Sequence, residues 1–69
     1  MCNGFQQRLR QLRLKKGVSQ QVVADFCRLS KSTVANYERG RRSPSFETAA
    51  ALADYFEVSL DYLSGKKEK

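Results

Sequence analysis

Read as a pattern of apolar and polar positions, the chain resolves into five short stretches with helical spacing and none with the period of a strand. Phe5, Leu9 and Leu12 recur at intervals of four and three, lining one face of a helix over about Phe5 to Lys16. Gly17 closes it behind Lys15 and Lys16, whose cations suit the negative end of the helix dipole. In "VSQQVVADFC" Ser19 is the N-cap candidate, because its hydroxyl can accept from an orphan amide of the first turn. Val18 and Val23 have the spacing of a hydrophobic staple, and Val23, Ala24 and Cys27 form the inward face.

"LSKSTVANYERG" repeats the device, with Ser30 as cap, Val34 and Tyr37 inward and Gly40 as stop. Only Arg28 and Leu29, with the caps, separate this third helix from the second. So short a connection makes the two helices cross steeply, as in a helix-turn-helix unit. "RRSPS" reads as a loop, Ser45 caps a fourth helix, and Glu47 sits in its first turn, where the dipole favours an anion. Phe46, Ala49, Leu52, Ala53 and Phe56 are its expected apolar face. Ser59 caps a short fifth helix with Leu60 and Leu63 inward. The expected organisation is one all-α domain over residues 1–65 and a short charged tail over 66–69.

Placing Val34 at the centre of the buried face of the third helix puts Ser32, Asn36 and Arg39 opposite it, at about 100° per residue. Lys31 and Thr33 flank them. All five side chains form hydrogen bonds and none is an acid. Asparagine matches adenine, lysine and arginine favour guanine, and serine or threonine suits phosphates or several bases. A B-DNA major groove, about 12 Å wide, admits one such helix.

Charge points the same way. The 69 residues carry a net charge of +6, unevenly spread. Residues 1–44 hold ten bases and two acids, and residues 45–69 hold three bases and five acids. A basic part joined to a mildly acidic one is expected of a surface facing a polyanion and a separate face for something else. Enzymatic chemistry is not expected. The chain has no histidine, and Cys2 and Cys27 lack metal-ligand spacing, so neither a structural zinc site nor a catalytic triad can be assembled. Cys27 reads as a small core residue and Cys2 as an exposed thiol. No metal, cofactor or small-molecule ligand is expected. No run approaches the ~18–20 apolar residues that span a bilayer, and the N-terminus has no signal-peptide core, so a soluble, cytoplasmic protein is expected.

The segment "RLRQLRLKKGVSQQVVADFCRLSKSTVANYERGRRSPSFETAAALADYFEVSLDYL" resembles the lambda-repressor-like, Cro-type helix-turn-helix family, also called the XRE family. The register is carried by "SQ" opening the second helix, Ala24, Leu29-Ser30 at the turn, "STV", "YERG", "RRSPS" and "VSLDYL". The resemblance implies a five-helix DNA-binding domain and a transcriptional regulator of the repressor type. It implies base reading by Lys31, Ser32 and Asn36, with Thr33 alongside. Gln20 resembles a phosphate-binding glutamine, and a second role is to steady a side chain of the third helix. Ser30, Arg39, Arg41 and Arg42 resemble backbone clamps. Arg13 and Glu38 match the positions of a partly buried ion pair.

Relatives carry glycine where this chain has Arg28 and Glu57, sites that call for a left-handed backbone. In this register Leu14, Val22, Phe26, Tyr55 and Tyr62 fall outside the inward stripes, either as scattered exposed residues or as an interface. The family dimerises through its last helices, which implies a homodimer on a palindromic operator in double-stranded DNA. The alternative is an antitoxin or adaptor-type interaction module in which DNA binding is secondary.

Overall fold

Helix boundaries follow the serines. The computed structural model describes residues 4–65, which form α1 (Gly4–Lys16), α2 (Gln20–Cys27), α3 (Lys31–Glu38), α4 (Phe46–Phe56) and α5 (Leu60–Ser64). The expectations for Cys2 and for the tail at 66–69 lie outside the described residues. Ser19, Ser30, Ser45 and Ser59 each hold an extended backbone, and each hydroxyl accepts from the amide three residues on. One orphan donor per helix is thereby satisfied, and substitution by alanine at such a cap costs about 0.5–2 kcal/mol.

The C-terminal ends share a second device. The amide two residues past the helix bonds back to a carbonyl of its last turn: Val18 to Arg13 at 3.2 Å, Leu29 to Ala24 at 2.7 Å and Val58 to Ala53 at 3.0 Å. Each of these residues is apolar and packs on the core, which completes the stop. The turn requires a left-handed residue, and two of the three are not glycine: Arg28 has φ 60° and Glu57 has φ 59°. Relief of that strain exceeds the entropy lost with a glycine, so Arg28→Gly and Glu57→Gly should each stabilise the domain by about 0.5–1 kcal/mol. Unchanged or lowered melting temperatures would show that the turns are not strained.

The core is small and shared by every helix. Leu9, Val23, Ala24, Val34, Tyr37, Leu52, Ala53 and Leu63 are buried, with Phe5, Leu12, Val18, Cys27, Leu29, Phe56, Val58 and Leu60 packed against them. The α2 helix packs on α3 and α4, while α1 packs on α3 and α5. The last helix is pinned to the first by Arg8, whose Nη1 donates to the Tyr62 carbonyl at 3.0 Å while its guanidinium lies 4.1 Å from the Tyr62 ring centroid. Backbone contact does the rest: a Cβ on Gly4 would come within 2.5 Å of the Gly65 Cα. Burial pushes the Cys27 thiol up from its ordinary value, away from the thiolate. No helix among the described residues is long and apolar enough to cross a membrane.

One inward assignment is corrected. Phe46 is 74% exposed and does not join the core. It is the first residue of α4, directly after the cap. Its ring stands at the rim of an open cleft lined also by Phe5, Tyr37, Leu60 and Leu63. The stripe of α4 that is buried begins a turn later and centres on Leu52 and Ala53. Leu14, Val22 and Phe26 are exposed and Tyr62 half-buried, as the register requires, whereas Tyr55 is half-buried and packs against the core, with the Phe26 ring centroid 4.6 Å from its own.

Candidate nucleic-acid interface

The third helix buries Val34 and Tyr37 and leaves its other side to solvent. Lys31 and Ser32 are exposed, Thr33, Ala35 and Asn36 half-buried, and Arg39, the C-cap, exposed. The Ser30 hydroxyl serves the helix first. It accepts from the Thr33 amide at 3.1 Å and lies 2.8 Å from the Thr33 hydroxyl and 3.3 Å from that of Ser32. Thr33 is thus turned toward the cap, while Lys31 and Asn36 make no side-chain hydrogen bond or ion pair within the described residues. The N-terminus of α3 therefore presents a cation and a hydroxyl over backbone amides that carry the positive end of the dipole, and the Asn36 amide follows one turn later.

The end of α3 departs from the other helices. Gly40 adopts φ 77° and the Arg41 amide returns to the Asn36 carbonyl at 2.9 Å, so the same stop is made. The position that holds Val18, Leu29 and Val58 elsewhere is here an arginine. Arg41 does not pack against the core as those apolar residues do. Arg39, Arg41 and Arg42 are left exposed on one loop, with no partner among the described residues. Three unpaired cations beside the outward face of α3 form an electrostatic footprint for a polyanion.

Beneath that surface lies a polar network. Glu38 receives Arg13 side-on, with Nε to Oε2 at 2.6 Å and Nη2 to Oε1 at 3.1 Å. The two side chains are only 13% and 6% exposed. Arg13 also donates through Nη1 to the Val18 carbonyl at 3.1 Å, just ahead of the α2 cap. The hydrogen bond from Glu38 raises the Arg13 pKa above its ordinary value; burial works against it and the carboxylate charge adds to it. A raised arginine pKa adds stability that is complete below the ordinary value and is lost only as pH climbs past the raised one, so neutral buffers leave the guanidinium charged.

Gln20, the first residue of α2, is half-buried and donates from Nε2 to Glu38 Oε1 at 3.1 Å. The sequence supports two roles for Gln20, and this contact belongs to the second, the support of a side chain on the third helix. One feature of the site has no signature in the sequence, and the partner of Gln20 has none either. Ala35 shares the outward side of α3, where its methyl suits a thymine methyl, but an alanine in a helix carries no signal of its own. The contact of Gln20 with Glu38 spans 18 residues and depends on how α2 crosses α3.

Known proteins share this fold. A family model described as helix-turn-helix matches residues 9–63. The chain belongs to the helix-turn-helix family. It is 47% identical over 62 residues to the HTH-type transcriptional regulator AnsR of Bacillus subtilis, covering 90% of this chain and 53% of that one. The cryptic phage CTXphi transcriptional repressor RstR of Vibrio cholerae is 33% identical over 64 residues, covering 93% and 58%. The helix-turn-helix chain thus spans about half the length of these regulators. Among solved structures, the restriction-modification controller protein C.AhdI from Aeromonas hydrophila superposes with a TM-score of 0.80 at 38% identity, covering 87% of this chain and 91% of that one. The P22 c2 repressor in complex with a synthetic operator gives 0.86 at 25% identity, covering 91% and 96%. The five-helix, lambda-repressor-like architecture expected from the sequence is therefore the one observed. These relatives are named as regulators and not as enzymes.

Proposed function

We propose that the chain is a sequence-specific double-stranded-DNA-binding transcriptional regulator that lays α3 in the major groove. The observation that carries the reading is the composition of the outward side of α3. It holds Lys31, Ser32, Asn36 and Arg39 and no acid, beside a loop with unpaired Arg41 and Arg42. Lys31, Ser32 and Asn36 face base edges, with Thr33 beside them. Arg39, Arg41 and Arg42 contact phosphates together with Gln20 and Ser30, whose hydroxyl keeps its capping role. Phosphate contacts set affinity and register, and base contacts set sequence choice.

Repression is the simplest outcome, because a protein seated on a promoter excludes polymerase without needing a further contact. One module makes few base contacts, so the working unit is a homodimer on a palindromic operator, with half-sites about 34–36 Å apart. Exposed Leu14, Val22, Phe26 and Phe46 supply apolar surface for association.

Fluorescence anisotropy against DNA from upstream of the protein's own gene, with a shuffled duplex as control, tests the reading. Preferred binding to the upstream duplex is expected. Asn36→Ala should weaken it by about ten- to a hundredfold, the worth of one good base contact, with melting little changed. Equal, weak binding to both duplexes that salt abolishes together would leave only a non-specific polyanion surface.

A further inference from the structure

We propose that Glu38, held by Arg13, is a positioning residue for the phosphate contact of Gln20, so that the ion pair belongs to the DNA-binding apparatus as well as to the fold. The inference rests on the proposed DNA-binding function and deepens it. A glutamine amide has two faces of opposite character, donor and acceptor, and can rotate between them. An ionised carboxylate only accepts, so the Glu38 contact admits one orientation, with Nε2 toward Oε1. Side-on pairing with Arg13 fixes the plane of that carboxylate. One N–H of Gln20 is then committed inward, and its second N–H has no partner among the described residues. Gln20 opens α2, where dipole and backbone amides already favour an anion, and a phosphate there would meet a donor that needs no ordering on binding.

The same network reaches the other flank of the α2 N-terminus. Arg13 holds the Val18 carbonyl before the Ser19 cap, and Glu38 holds Gln20 after it. Glu38 is also the last residue of α3. The side chain that meets phosphate and the helix that reads bases are therefore referred to one partly buried carboxylate. Without it, Gln20 must be immobilised by DNA itself, and a freely rotating glutamine lowers affinity by about three- to tenfold. The loss falls alike on every sequence, because phosphates carry no sequence information.

The test is a double-mutant cycle on a duplex recovered with the wild-type chain from a random-sequence library. Glu38→Gln keeps the volume and replaces an acceptor-only carboxylate with an amide that can present either a donor or an acceptor to Gln20. Because it strands a partly buried guanidinium, the combined replacement Arg13→Met with Glu38→Leu is measured too, since apolar substitution of a whole covered pair is often neutral or stabilising. Each is combined with Gln20→Ala, and binding is read where circular dichroism shows the variant folded. The expected result is a three- to tenfold loss in the Gln20 background and a change of less than about twofold in the Gln20→Ala background. Equal losses in both backgrounds, or no loss in either, would overturn the proposal and leave the ion pair a structural strut. Nuclear magnetic resonance of the DNA-free protein separates this from failure of the DNA reading. The Gln20 side-chain amide protons should be shifted from those of exposed glutamines and return to them in the pair-replaced chain. Amide protons that sit at exposed positions in the wild type would remove the positioning contact whatever the protein binds.

Discussion

Glu38→Ala should lower the unfolding free energy by about 3 kcal/mol, the lower end of the usual cost of leaving one partner of a buried ion pair alone, because this pair is partly buried. The size follows from what is stranded. Arg13 would keep a charge that is 13% exposed and would retain only the Val18 carbonyl as acceptor. Gln20 would lose its partner as well. A domain of this size has a total stability on the order of 3–10 kcal/mol, so the variant retains little. At about 4–8 °C per kcal/mol, the melting temperature should fall by more than about 12 °C. The ranking of preferred bases among folded molecules should stay the same, because Glu38 is nearly covered and touches no groove. A melting temperature within a few degrees of wild type would show that water reaches the pair and that it contributes little.

The serines make most of the fold legible in the amino-acid sequence itself. A cap, a run of helical spacing and a left-handed stop form a local grammar, and four hydroxyls mark four helix starts. Even Arg28 and Glu57, which break the glycine pattern, adopt the left-handed turn that their positions call for. Tertiary closure compensates for the local strain, since Leu29 and Val58 must reach the core one residue later. Phe46 shows where the grammar ends. Its helical phase matches that of buried residues, but phase says nothing about whether another element lies over the first turn. The site divides in the same way. The outward side of α3 follows from spacing alone. The contact between Gln20 and Glu38 depends on the crossing of two helices, and no local pattern encodes that geometry.

The double substitution Arg41→Ala with Arg42→Ala should weaken DNA binding most at low salt and least at high salt. Each phosphate contact releases counterions and contributes about 0.9 to the slope of log affinity against log salt. Losing two contacts should flatten the slope by about 1.8, so between about 50 and 200 mM salt the wild type should lose about twelvefold more affinity than the variant. Preference for the upstream duplex over its shuffled control should survive, because these arginines lie beyond the end of α3 and its base-facing residues. Stability should be little affected, since both side chains are exposed and neither has a partner among the described residues. The expectation comes from one position in the chain. Where the other helix stops place Val18, Leu29 and Val58 against the core, α3 places Arg41 in solvent. Arg41→Leu tests that premise alone. If the outward turn is set by the arginine, leucine should fold back toward the core, raise the melting temperature and draw Arg42 off the phosphate. The single variant would then lose nearly as much of the salt slope as the double one. A leucine variant with unchanged melting and a slope reduced by only one contact would mean that the loop faces outward for another reason.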